Sequence, residues 1–280
     1  MSNRTSDLKP LGKTGEKVPS IGLGTFGIGG FMERDDSRDE EGIRAIKKAI
    51  ELGMWLIDTA EIYGEGHSEE LVGEAIKQFK RDEVFIVTKV WYTNLRFDDI
   101  MKAIKGSLRR LGVKYVDLYL VHAPNPVIPF SETAKAMERL VDEGLARYIG
   151  VSNFTASEME KFRNCLSKYD IVVNQVKYSL LDRKIEIDVL PYCQREKILV
   201  MAYTPLEKGR LAKLSKLREI GKKYGKTAAQ VALNWLICHD WVMAIPKAIR
   251  VEHIEENAGA MEWRLSDKDF EELNKIFPLL

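Results

Sequence analysis

Four side chains in the first half of the sequence, Asp58, Tyr63, Lys89 and His122, bring together a carboxylate, a phenol, an ammonium and an imidazole. Such a set suits the reduction of a carbonyl by hydride. Hydride addition leaves an alkoxide, which needs a proton in or near the transition state, and a general acid serves best when its pKa lies near the working pH. Free tyrosine titrates near about 10, so a phenol in this role is expected to be drawn down toward neutrality. An ammonium about 4 Å away supplies roughly 4 kcal/mol at an effective dielectric of about 20, which is the right size for that shift. Lys89 must itself stay charged in a partly buried place, and Asp58 would hold it so. His122 would hydrogen-bond the substrate oxygen and fix its orientation. Singly, each residue also has a structural reading: Asp58 as a turn cap, Tyr63 as a loop aromatic, Lys89 as a rim ion-pair partner, His122 as a strand-end histidine. They become a site only if the chain carries them to one place.

The elements that must do so are read from periodicity. Apolar runs of strand length at Ser20 to Gly24, Met54 to Ile57, Val84 to Val90, Tyr115 to Val121, Ala146 to Val151, Ile171 to Val176, Ile198 to Tyr203 and Val242 to Ile245 alternate with stretches of helical period. Glu40 to Gly53, Ser68 to Phe79, Asp98 to Leu111 and Ser131 to Glu143 are the first four helices. Capping boxes predict two more starts, Thr155 with Glu158 and Thr227 with Gln230. Further helices are expected near Ile187 to Arg195, Val251 to Met261 and Asp267 to Phe277. This alternation implies a parallel sheet with helical crossovers, and eight units in about 250 residues is the size of a closed (β/α)8 TIM barrel. An open doubly wound sheet is the competing α/β architecture, which counting does not exclude. No linker divides the chain, so one domain over residues 1–280 is expected. Leu8 to Val18, with the turn-like Gly12-Lys13-Thr14-Gly15, predicts a β-hairpin capping the barrel bottom.

In a barrel, the residues just after each strand meet at one rim, and chemistry happens there. Asp58, Tyr63, Lys89 and His122 fall at such positions, as do Ser152, Asn153, Gln175, Tyr203 and Lys247. Phe26, Trp91 and Tyr92 are the candidate apolar walls for a substrate. Gly22-Leu23-Gly24-Thr25-Phe26-Gly27 matches G-x-G-x-x-G, but no helical period begins until about ten residues later, so a Rossmann site is the weaker reading. The glycines are expected instead in a mouth loop that lets backbone approach a ligand. His67 is expected to be solvated, and His239 to sit as a cation near a helix end. No histidine pair has metal-ligand spacing, and no G-x-S-x-G elbow is present.

Bulk composition narrows the classes. The 280 residues are 45% hydrophobic and 30% charged, with a net charge of +1, so no field of one sign would hold nucleic acid or an anionic membrane. No run reaches the roughly 18 apolar residues of a membrane-spanning helix. Met1 to Pro10 is polar and lacks a signal core, which gives the expectation of a cytoplasmic protein. Cys165, Cys193 and Cys238 are too scattered for disulfides or zinc and are expected to be small buried thiols. Abundant Lys and Glu with only four Gln fit a thermostable chain.

The motifs resemble those of the aldo-keto reductase family, from about Leu8 to the C-terminus. Gly53 to Gly64, reading GMWLIDTAEIYG, is similar to its first signature, and Val87-Thr88-Lys89-Val90-Trp91 and Leu118 to His122 to the segments bearing its lysine and histidine. Gly150-Val151-Ser152-Asn153-Phe154, Asn174-Gln175 and Ile245-Pro246-Lys247 resemble its cofactor-binding segments. The resemblance implies Tyr63 as proton donor, Lys89 and Asp58 tuning it, and His122 on the carbonyl. Ser152, Asn153 and Gln175 would hold the nicotinamide carboxamide and Tyr203 would stack on its ring. Gly24, Thr25 and Asp58 would also face the cofactor. Thr204, Pro205, Leu206 and Gly209 resemble the loop over its pyrophosphate, and Lys247, Ala248, Ile249, Arg250, Glu256 and Asn257 the segment at its adenosine end. The cofactor implied is NADPH. NADH is the alternative, because His253 stands where many relatives carry an arginine for the 2′-phosphate; Arg250 would take that role. Ala123 in place of a tryptophan and the short tail after Phe277-Pro278 imply an open pocket. The partner implied is a small carbonyl or alcohol substrate, bound by a monomer. A second reading is a cofactor-binding regulatory module resembling potassium-channel β subunits, and a third is a barrel enzyme of another class.

Overall fold

The computed structural model describes residues 5–279. Met1 to Arg4, the start of the polar N-terminal segment and of the expected domain, lie outside the described residues, as does Leu280. A short antiparallel hairpin, β1 (Leu8–Pro10) and β2 (Lys17–Pro19), comes first. Eight parallel strands follow: β3 (Leu23–Gly24), β4 (Leu56–Asp58), β5 (Phe85–Val90), β6 (Val116–Val121), β7 (Ala146–Ser152), β8 (Ile171–Lys177), β9 (Leu199–Tyr203) and β10 (Val242–Ala244). They pair in sequence order, and the sheet curls until its first and last strands meet. Gly22 N–H donates to the Ala244 carbonyl at 2.9 Å, and Ala244 N–H donates to the Ser20 carbonyl at 3.0 Å. The open doubly wound alternative is thereby ruled out, and the (β/α)8 barrel stands.

Every residue of β5 and β6 is buried, as strands covered on both faces require. The helices face the sheet with apolar stripes. In α1 (Asp39–Glu51), Gly42, Ala45, Ile46, Ala49 and Ile50 are buried at three- and four-residue spacing, while Asp39, Glu40 and Glu41 favour the positive N-terminal end. The next helix, α2 (His67–Ile76), is buried over most of its surface, polar residues included, whereas the α1 pattern gives α3 (Phe97–Leu111) and α4 (Phe130–Asp142). Both expected capping boxes form, Thr155 with Glu158 opening α5 (Ala156–Arg163) and Thr227 with Gln230 opening α8 (Ala228–Cys238). Between them lie α6 (Val189–Glu196) and α7 (Ser215–Tyr224), and α9 (Val251–Ala258) and α10 (Asp267–Ile276) end the chain.

Helix α7 is not among the expected elements. Only Leu217, Ile220 and Gly221 of it are buried, and its lysines and its glycine hide the period. Gly221 is required there, since a Cβ would lie 2.3 Å from the Lys226 carbonyl oxygen. The hairpin closes the N-terminal end of the barrel as expected. A Cβ on Gly12 would lie 2.9 Å from Val172 near the start of β8, and Lys9 donates to the carbonyls of Ile237 and His239 at the end of α8.

Three expectations need correction. Gly22 and Gly24 lie beside and within β3 on the closing edge of the barrel, not in a loop: Cβ atoms there would meet the carbonyls of Leu56 and Ile245 at 2.7 and 2.9 Å. Cys165 is exposed, while Cys193 is buried and Cys238 partly so. His239 does stand at the end of α8, but burial lowers its pKa and so disfavours the expected cation; the ring sits between Tyr178 and Trp235, with Nε2 3.1 Å from the Tyr178 hydroxyl.

Candidate active site

Because all eight barrel strands run the same way, their C-terminal ends form one rim. Asp58 ends β4, Lys89 is the penultimate residue of β5 and His122 follows β6. The Lys89 ammonium is fully buried. It lies 2.8 Å from Asp58 Oδ1, and it donates to the Thr59 carbonyl at 2.7 Å and to the Tyr63 hydroxyl at 3.2 Å. Tyr63 reaches back from a tight turn after β4, where Gly64 and Glu65 have φ of 55° and 56°. Gly64 is needed there, because a Cβ would fall 2.0 Å from the Gly29 carbonyl oxygen. The Tyr63 ring meets the rings of His122 and Phe26 edge-on at 5.8 and 5.0 Å.

Burial raises Asp58 above the usual carboxylate range against the pull of Lys89. Burial also works against the Lys89 charge, but Asp58 and Tyr63 outweigh it and raise Lys89. The short contact, with Gln175 Nε2 donating to Asp58 at 2.7 Å, favours the ionised pair. Tyr63 departs from expectation. Burial raises its pKa and the Asp58 charge adds to this, so the Lys89 ammonium does not bring it below the ordinary phenol value. The phenol is therefore a neutral group that holds its proton. His122 is pushed down to about 3, by burial first and then by Lys89, and so carries a neutral imidazole. Its Nδ1 is buried with no hydrogen-bond partner among the described residues.

The expected nicotinamide-binding residues are adjacent and interlocked. Ser152 Oγ donates to the Gln175 carbonyl at 2.8 Å, Asn153 Nδ2 donates to the His122 carbonyl at 2.9 Å, and the Tyr203 hydroxyl donates to Asn153 Oδ1 at 2.9 Å. Thr25 is fully buried, its hydroxyl 2.8 Å from that of Ser68, so it braces the loop from within. After β9 the chain turns sharply: Thr204, Glu207 and Lys208 have φ of 52°, 48° and 55°. These left-handed conformations cost roughly 1 kcal/mol or more each. The Glu207 carboxylate anchors them, accepting from Ser179 Oγ at 2.9 Å and lying 3.2 Å from Lys177 Nζ. Lys247 to Arg250 link β10 to α9, with Glu256 and Asn257 in the second turn of that helix. Burial lowers Lys247, and the Arg38 guanidinium lowers it further, so two cations gather where a phosphate would be welcome. Arg250 lies 2.6 Å from His253 Nε2. Donors at one end and an apolar, polar-tipped rim at the other fit a phosphorylated nicotinamide cofactor.

The cluster of aromatic rings at this rim extends beyond the residues expected. Trp91 meets His122 at 4.9 Å and Tyr92 at 4.8 Å. Phe31, not anticipated, packs on Phe26 at 5.1 Å and is 60% exposed. An apolar Phe31-Met32 pair just before a charged run was the available signal. Glu61 was also missed: it accepts from Trp91 N–H at 2.6 Å and from Asn94 at 3.1 Å, tying the Tyr63 loop to the Trp91 loop. Glu61 lies inside the segment similar to the first signature and Glu207 inside the loop after β9, but no spacing marked the role of either. His67, expected in solvent, is only 4% exposed and lies among carboxylates.

Comparison with known proteins places this rim in context. The family model described as "Aldo/keto reductase family" matches residues 20–277. A methylglyoxal reductase of Escherichia coli is 40% identical over 266 residues, covering 93% of this chain and 92% of that protein. A thermostable aldo-keto reductase crystallised with the inhibitor epalrestat superposes with a TM-score of 0.92 at 48% identity, covering 96% of this chain and 99% of that one. An aldo/keto reductase from Klebsiella pneumoniae, crystallised with NADP and acetate, gives a TM-score of 0.89 at 37% identity, covering 99% and 97%. With a matching model across nearly its whole length, the chain belongs to the aldo/keto reductase family.

Proposed function

We propose that this protein reduces aldehydes or ketones to alcohols with NADPH, and that Tyr63 donates the proton. The observation that carries this reading is the Lys89 ammonium, fully buried and bonded at once to Asp58 and to the Tyr63 hydroxyl. NADPH, when bound, supplies the hydride. Tyr63 holds the proton as a neutral phenol until a developing alkoxide draws it. Lys89, kept charged by Asp58, stabilises the phenolate that proton loss leaves behind. His122, held neutral, hydrogen-bonds the carbonyl oxygen and directs it toward Tyr63.

Ser152, Asn153 and Gln175 would orient the nicotinamide, with Tyr203 against its ring. Lys247 and Arg250 would take the 2′-phosphate, which favours NADPH over NADH. The Klebsiella relative holds NADP, and the Escherichia coli relative is a methylglyoxal reductase, so 2-oxoaldehydes belong among the first substrates to try. One domain carries the activity, acting as a monomer in the cytoplasm, and native mass measurement checks the oligomeric state. The reading as a whole is tested by fluorescence titration with NADPH and NADH, followed by aldehyde-dependent oxidation of the bound cofactor. Tight NADPH binding with turnover is expected. Binding without turnover of any aldehyde, ketone or 2-oxoaldehyde would contradict it.

A further inference from the structure

His67 opens α2, four residues after Tyr63, and its ring is almost wholly buried. A helix N-terminus disfavours a cation, yet this imidazole is ringed by carboxylates. Nε2 lies 2.9 Å from Asp39 and 3.0 Å from Asp36, and Nδ1 lies 2.8 Å from Glu70. Arg34 closes the circuit, its guanidinium 2.7 Å from Asp36 and 2.9 Å from Glu70. Asp35 stands close enough to feel the imidazole charge. Both ring nitrogens face carboxylate oxygens, which accept and never donate, so the arrangement is complete only when both nitrogens carry a hydrogen. A divalent cation is the poorer occupant, since Arg34 already donates to the Asp36 oxygen that faces the ring.

The clasp joins two parts of the active-site mouth. Arg34 and Asp36 belong to the connection between β3 and α1, which also carries Phe26 and Phe31, and Asp39 is the first residue of α1. His67 and Glu70 belong to α2, directly behind the Tyr63 turn. The same connection touches the catalytic turn itself: Gly64 N–H donates to the Phe31 carbonyl at 2.8 Å, and Phe26 packs on Tyr63. Gly27, Gly29 and Gly30 have φ of 89°, 78° and 109°, so backbone without side-chain restraint precedes Phe31. A Cβ on Gly29 would lie 3.0 Å from the His67 ring, so imidazole and loop are in close contact.

We propose that His67 is a positioning residue, whose doubly bonded imidazolium fastens the Phe26–Phe31 loop against the Tyr63 turn and so completes the apolar wall that receives the carbonyl substrate. This rests on the reductase reading for its substrate, but the clasp itself does not need turnover. Burial opposes the ring's charge, but Glu70 and Asp39 outweigh it and raise His67 above its usual value. The sign follows: the clasp is intact below about pH 6.5 and is lost as pH rises through the higher folded-state value.

The test measures KM for 4-nitrobenzaldehyde in the wild-type protein between about pH 6.5 and about pH 8.5, beside hydrogen exchange of the 27–38 segment corrected for intrinsic rates. KM is expected to rise roughly five-fold across that range, with faster exchange of the segment. In Glu70→Gln, which changes a half-exposed side chain, the rise should begin at lower pH. His67→Gln should give a high KM that no longer varies with pH. A Glu70→Gln profile superimposed on wild type, or wild-type exchange independent of pH, would overturn the proposal. If no aldehyde is reduced at any pH, the reductase reading fails alone, and the exchange of wild type against Glu70→Gln still decides whether the clasp exists.

Discussion

Lys89 is a fully buried ammonium whose neighbours define what it can do. Replacing it with Met removes the charge that stabilises a Tyr63 phenolate and strands the Asp58 carboxylate. Lys89→Met is expected to lower kcat by about 10²- to 10⁴-fold, and to cost about 3 kcal/mol of stability in urea unfolding, since a lone buried charge is left behind. His122 makes a second prediction. With its pKa near 3, it stays neutral at all working pH values, so kcat/KM should show no step near about pH 6.5 that disappears in a His122→Gln variant. The types and order of these residues were legible in the sequence because the chemistry restricts them to strand ends. The direction of the Tyr63 shift was not. It depends on how completely the phenol is buried, and burial there outweighs a lysine 3.2 Å away.

Elements come next, because each rim residue is only as well placed as the loop that holds it. Glu61 spans two such loops, and Glu61→Ala releases Trp91 N–H and Asn94 together. KM for an aromatic aldehyde should rise by about ten-fold while NADPH affinity stays unchanged, as steady-state kinetics and fluorescence titration would show. Glu207 anchors the turn after β9 in the same manner. Glu207→Ala leaves three left-handed residues without their buried tie to Ser179, and stopped-flow NADPH release should quicken by about ten-fold. Strands and most helices were legible because burial imposes its period on the sequence, as in α1. Helix α7 was hidden because only a narrow face of it is buried, and because its glycine, which reads as a breaker, is there to admit the Lys226 carbonyl. Glu61 and Glu207 were hidden for another reason: each acts through partners distant in sequence, Trp91 and Asn94 for the first and Ser179 and Lys177 for the second, which leaves no local pattern.

At the scale of the whole molecule, ion pairs link segments far apart. Arg81 and Arg147 converge on the buried Asp117, and Arg147 also pairs with Glu16 of the hairpin segment. Arg264 meets Asp7, and Arg163 joins Asp170 and Glu196. Networks of this kind matter more as temperature rises, so calorimetry should give a Tm above the roughly 45–65 °C common for mesophilic domains. The closed barrel does what no local segment can: it carries residues from position 58 to position 247 to one rim. The most direct test of that convergence is Tyr63→Phe, assayed for aldehyde reduction and titrated with NADPH. The account predicts unchanged NADPH binding and reduction slower by at least about 10²-fold. Reduction at the wild-type rate by the phenylalanine variant would contradict it.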